Sequence, residues 1–480
     1  MDQWPSKASR RLGRREFLKA SVIASSAALL AACQTPAAPA PTTAPAPKAT
    51  EAPKPAATAA PAGTKAPGDA FSWQRFKGEK IEVQLIKSPR GDVLQQNQKE
   101  FENLTGIQVG SEQVPEQQLR QKQVIEFTSG STTFDVTQNS LHVQKRLFGK
   151  GKWLLDLRDY LKDPTLTSPD YDYADFAKSA LDYAAQVDGR VDTLVQSNDY
   201  FILYWNKELF QAKGVQYPNT LDEMLAAAQK LNDPGKGVYG FVGRGLKNAN
   251  VPLWYSFLLG WDVDGIDDKA VMHTDGPEAI AAAELYKKLM KDYAPPGVAG
   301  FNWNEAQTAF AQGTAAMWYD GVGFAEPLED KTKSKIVGKV GYGFPPAGPK
   351  GRFASMSGAA MGVSSFSKKP GPSYYYCQWA TNKVNAGRIL AAGGGAPART
   401  SAYKDQSALA NLKVPKEWVD VLLQCIKVGR SMLPIVIPVT EFRDIFGVAL
   451  TNMIGGADPA TELKKATAEF KPVLEKSEKS

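Results

Sequence analysis

From Phe71 onward, short apolar or β-branched runs alternate with longer stretches whose apolar residues recur at helical spacing, the pattern of an α/β architecture. Residues 81–86 read as a strand. Across 93–105, Val93, Leu94, Phe101 and Leu104 fall on one face of a helix, which Gly106 ends before the strand-like Ile107-Gln108-Val109. Together they predict a βαβ unit. Phe134-Asp135-Val136 and Leu203-Tyr204-Trp205 are further strand candidates. Residues 221–231 and 277–290 read as amphipathic helices, with Thr220 suited to cap the first and Pro277 to the first turn of the second.

Ahead of this region the pattern changes. An apolar segment, 20–32, follows Lys7, Arg10, Arg11, Arg14, Arg15 and Lys19 and is shorter than the roughly 20 residues that cross a bilayer, which marks an export signal. Arg14-Arg15-Glu16-Phe17-Leu18-Lys19 resembles the twin-arginine export motif. Leu30-Ala31-Ala32-Cys33 resembles a lipobox, in which Cys33 becomes the first residue and carries acyl chains. Residues 34–70 are nearly all Pro, Ala, Thr, Gly and Lys, with too little apolar surface to offset the entropy of ordering. This composition predicts an extended tether with a reach on the order of 100 Å at ~3.1 Å per residue.

With 480 residues, 43% of them hydrophobic, the chain is long enough for two or three domains. Six basic and two acidic residues precede Cys33, so only +3 of the net +7 belongs to the remainder. No basic run there interleaves with aromatics, which argues against a nucleic-acid partner. Cys33, Cys377 and Cys425 are too few and too scattered for a disulfide scaffold or a cysteine metal cage, and the last two are expected as buried free thiols. The only histidines, His142 and His273, lie in unrelated segments and supply neither a triad nor a histidine metal site. Gly393-Gly394-Gly395 lacks the lysine and the spacing of a phosphate loop. No cofactor or metal is expected.

Two segments carry a family likeness. Ile202-Leu203-Tyr204-Trp205-Asn206-Lys207-Glu208-Leu209-Phe210, continuing through Gly214 and Pro218 to Glu223, and Phe310-Ala311-Gln312-Gly313-Thr314-Ala315-Ala316-Met317 resemble the extracellular solute-binding proteins of ABC importers that include maltose- and sorbitol/mannitol-binding proteins. Pro295-Pro296-Gly297 and Trp303-Asn304-Glu305 look most like the sorbitol/mannitol branch. The resemblance runs from about Lys80 to Lys471. It implies two discontinuous α/β lobes of the periplasmic-binding-protein type (type II) that close on a ligand about a hinge. On that pattern the chain divides into a signal (1–32), a tether (33–70), a first lobe (71–196 and 355–401) and a second lobe (197–354 and 402–480). Hinge crossings are expected near 195–200, 353–358 and 399–403.

The ligand implied is a small carbohydrate or polyol, handed to importer permease subunits by a lipid-anchored, extracytoplasmic monomer that is not an enzyme. A sugar needs flat aromatics for its C–H faces and planar donors or acceptors for its hydroxyls. Trp254, Trp261, Trp303 and Trp318 fall where the family places the second lobe, each also readable as a core aromatic. Asp320 shares a strand face with Trp318, offering an acceptor beside a stacking surface, or else an exposed turn acid. Asp199 lies at the first crossing, as ligand contact or ion pair. Arg90, Gln138 and Asn139 follow strand candidates, at the carboxyl ends where α/β folds bind ligands, with ordinary loop residues as the alternative. Ser357-Gly358 sits at a recrossing where backbone amides can approach a ligand. Arg399 is expected at the cleft rim, as a lobe-to-lobe ion pair or a ligand contact. Carboxylates are plentiful, so a tethered glycoside hydrolase and a same-fold receptor for a non-sugar solute stand as alternatives.

Overall fold

Strand β1 (Lys80–Ile86) pairs in parallel with β2 (Gln108–Val114) on one side and with β3 (Val136–Ser140) on the other, so the expected βαβ unit is present. The computed structural model of the protein describes residues 70–479, which belong to a single compact unit. The leader, Cys33 and the tether lie outside the described residues. The connections of this first sheet carry the helices α1 (Pro89–Gln96), α2 (Gln98–Thr105), α3 (Glu116–Thr128) and α4 (Leu141–Gly151). The single helix expected over 93–105 is thus two. Asn97 breaks it: its backbone leaves the helical region (φ −102, ψ 6) and its side-chain amide donates back to the Val93 carbonyl at 2.7 Å.

Strand β4 (Leu194–Asn206) joins the two halves of the fold. Its first half pairs antiparallel with β7 (Ala354–Val363), which itself lies against β3. Its second half pairs antiparallel with β5 (Met317–Gly321) and β6 (Val340–Gly343), forming a second, smaller sheet. Two short strands complete the set: β8 (Ala396–Pro397) on β4 and β9 (Gly429–Ser431) on β7. The register between β4 and β7 slips between Val195 and Ser197, a bulge within the first sheet, and the strand passes to the second sheet only after Tyr200. The protein is therefore an α/β fold of two lobes that share strands. Of the three expected crossings, two are strands. Residues 399–403 instead lie on a 3₁₀ turn, Thr400–Lys404, and its boundary.

The second lobe is mostly helical. The helices used below are α5 (Val251–Leu259), α6 (Pro277–Asp292), α7 (Trp303–Ala311), α8 (Val439–Ile454) and α9 (Pro459–Lys479). All nine residues of α5 are buried, which is what a helix apolar on every side requires. Helix Leu221–Leu231 has its expected bounds, and Thr220 Oγ1 accepts from the Glu223 amide at 3.1 Å. Pro277 occupies the first position of α6. Among the described residues no helix is long and apolar enough to cross a membrane. Cys377 and Cys425 are buried free thiols, as expected, and burial pushes both thiols up.

One buried carboxyl tunes stability. Asp192, just before β4, accepts from Gln186 Nε2 at 2.9 Å, and burial pushes it up to about 6 despite Gln186, Arg190 and Lys145 nearby. Below its unfolded value near 4 the group is neutral in both states; as pH rises through about 6 the folded state resists ionising and loses stability. Asp192→Asn should therefore stabilise the protein at pH 7, by up to about 3 kcal/mol, and leave it unchanged at pH 4. Urea denaturation at the two pH values checks this, and equal effects at both would refute it.

Candidate functional site

Strands β1, β2 and β3 run in the same direction, so their carboxyl ends deliver three side chains to one edge of the sheet. Arg90 is the second residue of α1, where Ser88 caps the helix and the backbone turns so tightly that a Cβ on Gly91 would meet the Ile86 carbonyl at 2.3 Å. Glu116 opens α3 after β2. His142 stands in the first turn of α4 after β3. The Ser140 hydroxyl donates to Glu116 at 2.5 Å, which ties the ends of β2 and β3 together.

Asp199 projects from the shared strand β4 toward this edge. Arg90 Nη1 donates to Asp199 Oδ2 at 2.6 Å and to Ser197 Oγ at 3.1 Å. Backbone closes over the pair: Gly395 has φ +121, and a Cβ there would stand 2.4 Å from Asp199 Oδ1, so only glycine fits. The turn Val322–Phe324 approaches from the second lobe, with the Cβ position of Gly323 3.3 Å from the same oxygen. Arg90 Nε and Asp199 Oδ1 are nonetheless buried without a hydrogen-bond partner, as is His142 Nδ1.

The second lobe supplies the opposite wall. Arg244 clamps the fully buried Asp320, with Nε 2.9 Å from Oδ2 and Nη2 on Oδ1. Its guanidinium lies 5.1 Å from the Phe201 ring and 5.7 Å from Phe324. Phe324 stacks on Trp303 at 4.7 Å with the planes 2° apart, and Trp303 is 39% exposed. An aromatic shelf therefore lies beside a planar, ion-paired donor.

Between α3 and α4 on one side and α8 and α9 on the other lies a cavity of about 970 Å³, near the upper end of the range for small-molecule sites. Arg120 and Arg443 face into it from opposite lobes. Glu116, with 42% of its side chain exposed, pairs with Arg120 at 3.3 Å. Burial would raise its carboxyl, but Arg120, His142, Ser140 and Arg90 outweigh that and hold it at about 2. Burial, reinforced by Arg120, Arg443 and Arg90, pushes the His142 imidazole down to about 3 against the pull of Glu116, so it is neutral at pH 7.

The expected site residues are distributed unevenly around this cleft. Arg90 and Asp199 pair with each other, Trp303 stacks on Phe324 of the turn whose Gly323 approaches Asp199, and Ser357 lies across from Asp199 in the β4–β7 register, a position that shares its face. Gly358 is buried against Asn198, Leu141 and Tyr183. Gln138 and Asn139 lie inside β3 rather than after it, because the strand starts at Val136 and not at Phe134. Gln138 there accepts from the Ile86 amide at 2.8 Å. Trp318 is fully buried in a cross-strand stack with Tyr204 at 4.7 Å, and Asp320 is occupied by Arg244. Trp254 is buried, stacked on Phe446 at 5.7 Å, and Trp261 packs half-buried against the core. Arg399 does not reach the rim. Its guanidinium is buried in the first lobe, donating to the Thr381, Tyr171 and Asp172 carbonyls and lying 4.1 Å from the Phe176 ring.

Glu116, Arg120, His142, Arg244, Phe324 and Arg443 escaped sequence reasoning. Glu116 was findable, since it follows a strand as Arg90 does, but β2 continues through the polar run Ser111-Glu112-Gln113 that hides its end.

Residues 87–418 match the family described as bacterial extracellular solute-binding protein. The chain is 24% identical over 421 residues to the erythritol/L-threitol-binding protein of Mycolicibacterium smegmatis, an overlap of 82% of this chain and 86% of that one. It is also similar to a solved ABC transporter solute-binding protein from Agrobacterium radiobacter K84 in complex with ribitol, with a TM-score of 0.74 and 25% identity over 83% of this chain and 99% of that one. A structure from Agrobacterium vitis S4 with bound D-mannitol shares the fold at a TM-score of 0.70 and 22% identity, over 83% and 99% of the two chains.

Arg244 and Asp320 form a unit whose halves are not separable. Removing the cation in Arg244→Met strands a buried carboxylate and should cost about 3–5 kcal/mol in urea denaturation. Adding Asp320→Asn to that variant should recover a large part of the loss. A double variant no more stable than the single one would show that Asp320 does not depend on its partner.

Proposed function

Because the chain belongs to the bacterial extracellular solute-binding protein family, we propose that it is the receptor of a carbohydrate importer, binding a sugar or sugar alcohol between its lobes and delivering it to ABC permease subunits. Family membership carries an extracytoplasmic location. The observation that carries the ligand class is the pairing of planar, ion-paired hydrogen-bonding groups, Arg90–Asp199 and Arg244–Asp320, with the exposed Trp303–Phe324 shelf. Hydroxyls of a polyol match the unpartnered Arg90 Nε and Asp199 Oδ1, and its C–H face matches the shelf. The ligands named for the similar proteins, erythritol or threitol, ribitol and mannitol, have this chemistry.

Recognition works by preorganisation. Each guanidinium is already fixed by a carboxylate, so binding orders few side chains and most of the interaction energy reaches affinity. Asp320 and Trp318 then act as positioning residues, holding Arg244 and the floor beneath the shelf. The hydrolase alternative needs a carboxylic acid kept protonated near neutral pH. Glu116 is instead held at about 2 and Asp199 is paired to Arg90 at 2.6 Å, which supports binding without turnover.

Isothermal calorimetry and thermal melting with erythritol, ribitol, D-mannitol and maltose test this reading. At a hundred times the dissociation constant a true ligand should stabilise the protein by about 2.7 kcal/mol. Asp199→Asn and Trp303→Ala should each weaken that ligand about tenfold or more, as loss of a charge-assisted bond or a stacking face predicts. Unshifted melting with every polyol and sugar would overturn it, and cleavage of an oligosaccharide on overnight incubation would favour the hydrolase.

The leader and Cys33 support export through the twin-arginine route and anchoring by acyl chains, each buried CH₂ adding roughly 0.8 kcal/mol of membrane affinity. Cys33→Ser should move the protein from the membrane fraction to the soluble one; unchanged fractionation would count against the anchor.

A further inference from the structure

The cleft holds more positive charge than a neutral polyol needs. Three of its guanidiniums have carboxylate partners: Arg90 with Asp199, Arg120 with Glu116, and Arg244 with Asp320. The fourth, Arg443, has none within ion-pair distance among the described residues. Its Nε donates to the Asn248 carbonyl at 3.1 Å, while the adjacent Asp444 is engaged by Asn248 Nδ2 at 3.1 Å and Lys247 at 3.8 Å. On the rim, Glu441 and Lys476 are both exposed and offset one another in sign. His142 adds no charge at neutral pH.

Arg443 is also held against its own kind. Burial, then Arg120 and Arg244, press its guanidinium down to about 9, with Glu116 and Asp444 opposing. A cation drawn partly out of water with no carboxylate beside it is costly unless something of opposite charge completes it. Arg120 and Arg443 line the same cavity from opposite lobes, so an anion bound between them would neutralise the excess and draw the lobes together. Guanidinium forks suit this task, because their geometry matches carboxylate and phosphate oxygens.

We propose that the ligand of this cleft is a sugar or polyol bearing an oxyanion, a carboxylate or a phosphate, seated between Arg120 and Arg443 with its hydroxyls toward Arg90, Asp199 and Trp303. The proposal rests on the carbohydrate-receptor reading and narrows it to acidic carbohydrates.

Matched probes on the full-length protein test it: D-mannitol, D-mannonate and D-mannitol 1-phosphate share a carbon chain and differ in the terminal group. Calorimetry at low salt should show one of the two anions binding at least about tenfold tighter than D-mannitol, the size expected when a neutral hydrogen bond becomes a charge-assisted one. The tighter of the two identifies the oxyanion. Added sodium chloride should shrink that advantage. In Arg443→Gln the ratio of anion to mannitol affinity should fall toward one, while Arg443→Lys, which keeps the charge but not the fork, should retain part of it. D-mannitol binding as tightly as both anions, or an unchanged ratio in Arg443→Gln, would overturn the proposal and leave the carbohydrate receptor standing. If none of the probes bound, nor any polyol or sugar of the wider panel, both readings would fall.

Discussion

Strand β4 is hydrogen-bonded into two sheets at once, and this sharing organises the rest of the molecule. Its first half is locked to β7 and β8, its second half to β5 and β6, so the two lobes cannot separate without breaking a ladder. They can only pivot about it. The strand passes from one sheet to the other between Tyr200 and Phe201, and Asp199 stands just before that point. Its side chain meets Arg90 and the backbone of Gly323 and Gly395 there. The cleft is built around that position.

Charge then decides what the cleft can hold. A carboxylate this far from bulk water demands a partner, and Asp199 finds Arg90 at the end of β1, as Asp320 finds Arg244 in the other lobe. The first pair does not exhaust its hydrogen-bonding capacity. Arg90 Nε and Asp199 Oδ1 stay unpartnered because the glycines at 323 and 395 bring backbone close without bringing side chains. Such a surface is rigid, polar and incomplete, the condition in which a small hydroxylated molecule adds bonds at little entropic cost. The aromatic shelf of Trp303 and Phe324 supplies the complementary apolar face, held flat by the Asn302 cap that starts α7.

The two lobes contribute unequally. Polar groups in the first lobe come from helix starts that follow parallel strands, positions repeated by topology. Those in the second come from turns and from the start of α8, and owe their meeting to packing of α8 against α5, α6 and α9 rather than to any repeated motif. On the proposed receptor reading, closure about β4 would bring both sets onto one ligand. Arg120 and Arg443 show what this implies, since each is ordinary on its own helix and only their approach across the gap creates a concentrated positive field.

Local periodicity and resemblance by themselves determined the α/β class, the βαβ start, helix Leu221–Leu231 and the solute-binding family, and they pointed to Arg90 and Asp199, which the structure pairs. These follow from short-range rules: alternation, caps, and residues placed just after strands. Tertiary structure alone decided which aromatics face the cleft. Trp318 and Trp254 look like Trp303 in sequence, but Tyr204 and Phe446 cover them, and whether a ring is covered depends on elements more than a hundred residues away. Arg399 became a buried first-lobe hub for the same reason, its partners lying on the loop 171–175. The grouping of Glu116, Arg120, His142, Arg244 and Arg443 had no sequence signature either. Electrostatic neighbours need only be near in space, and chain proximity encodes that only within a helix or across one turn.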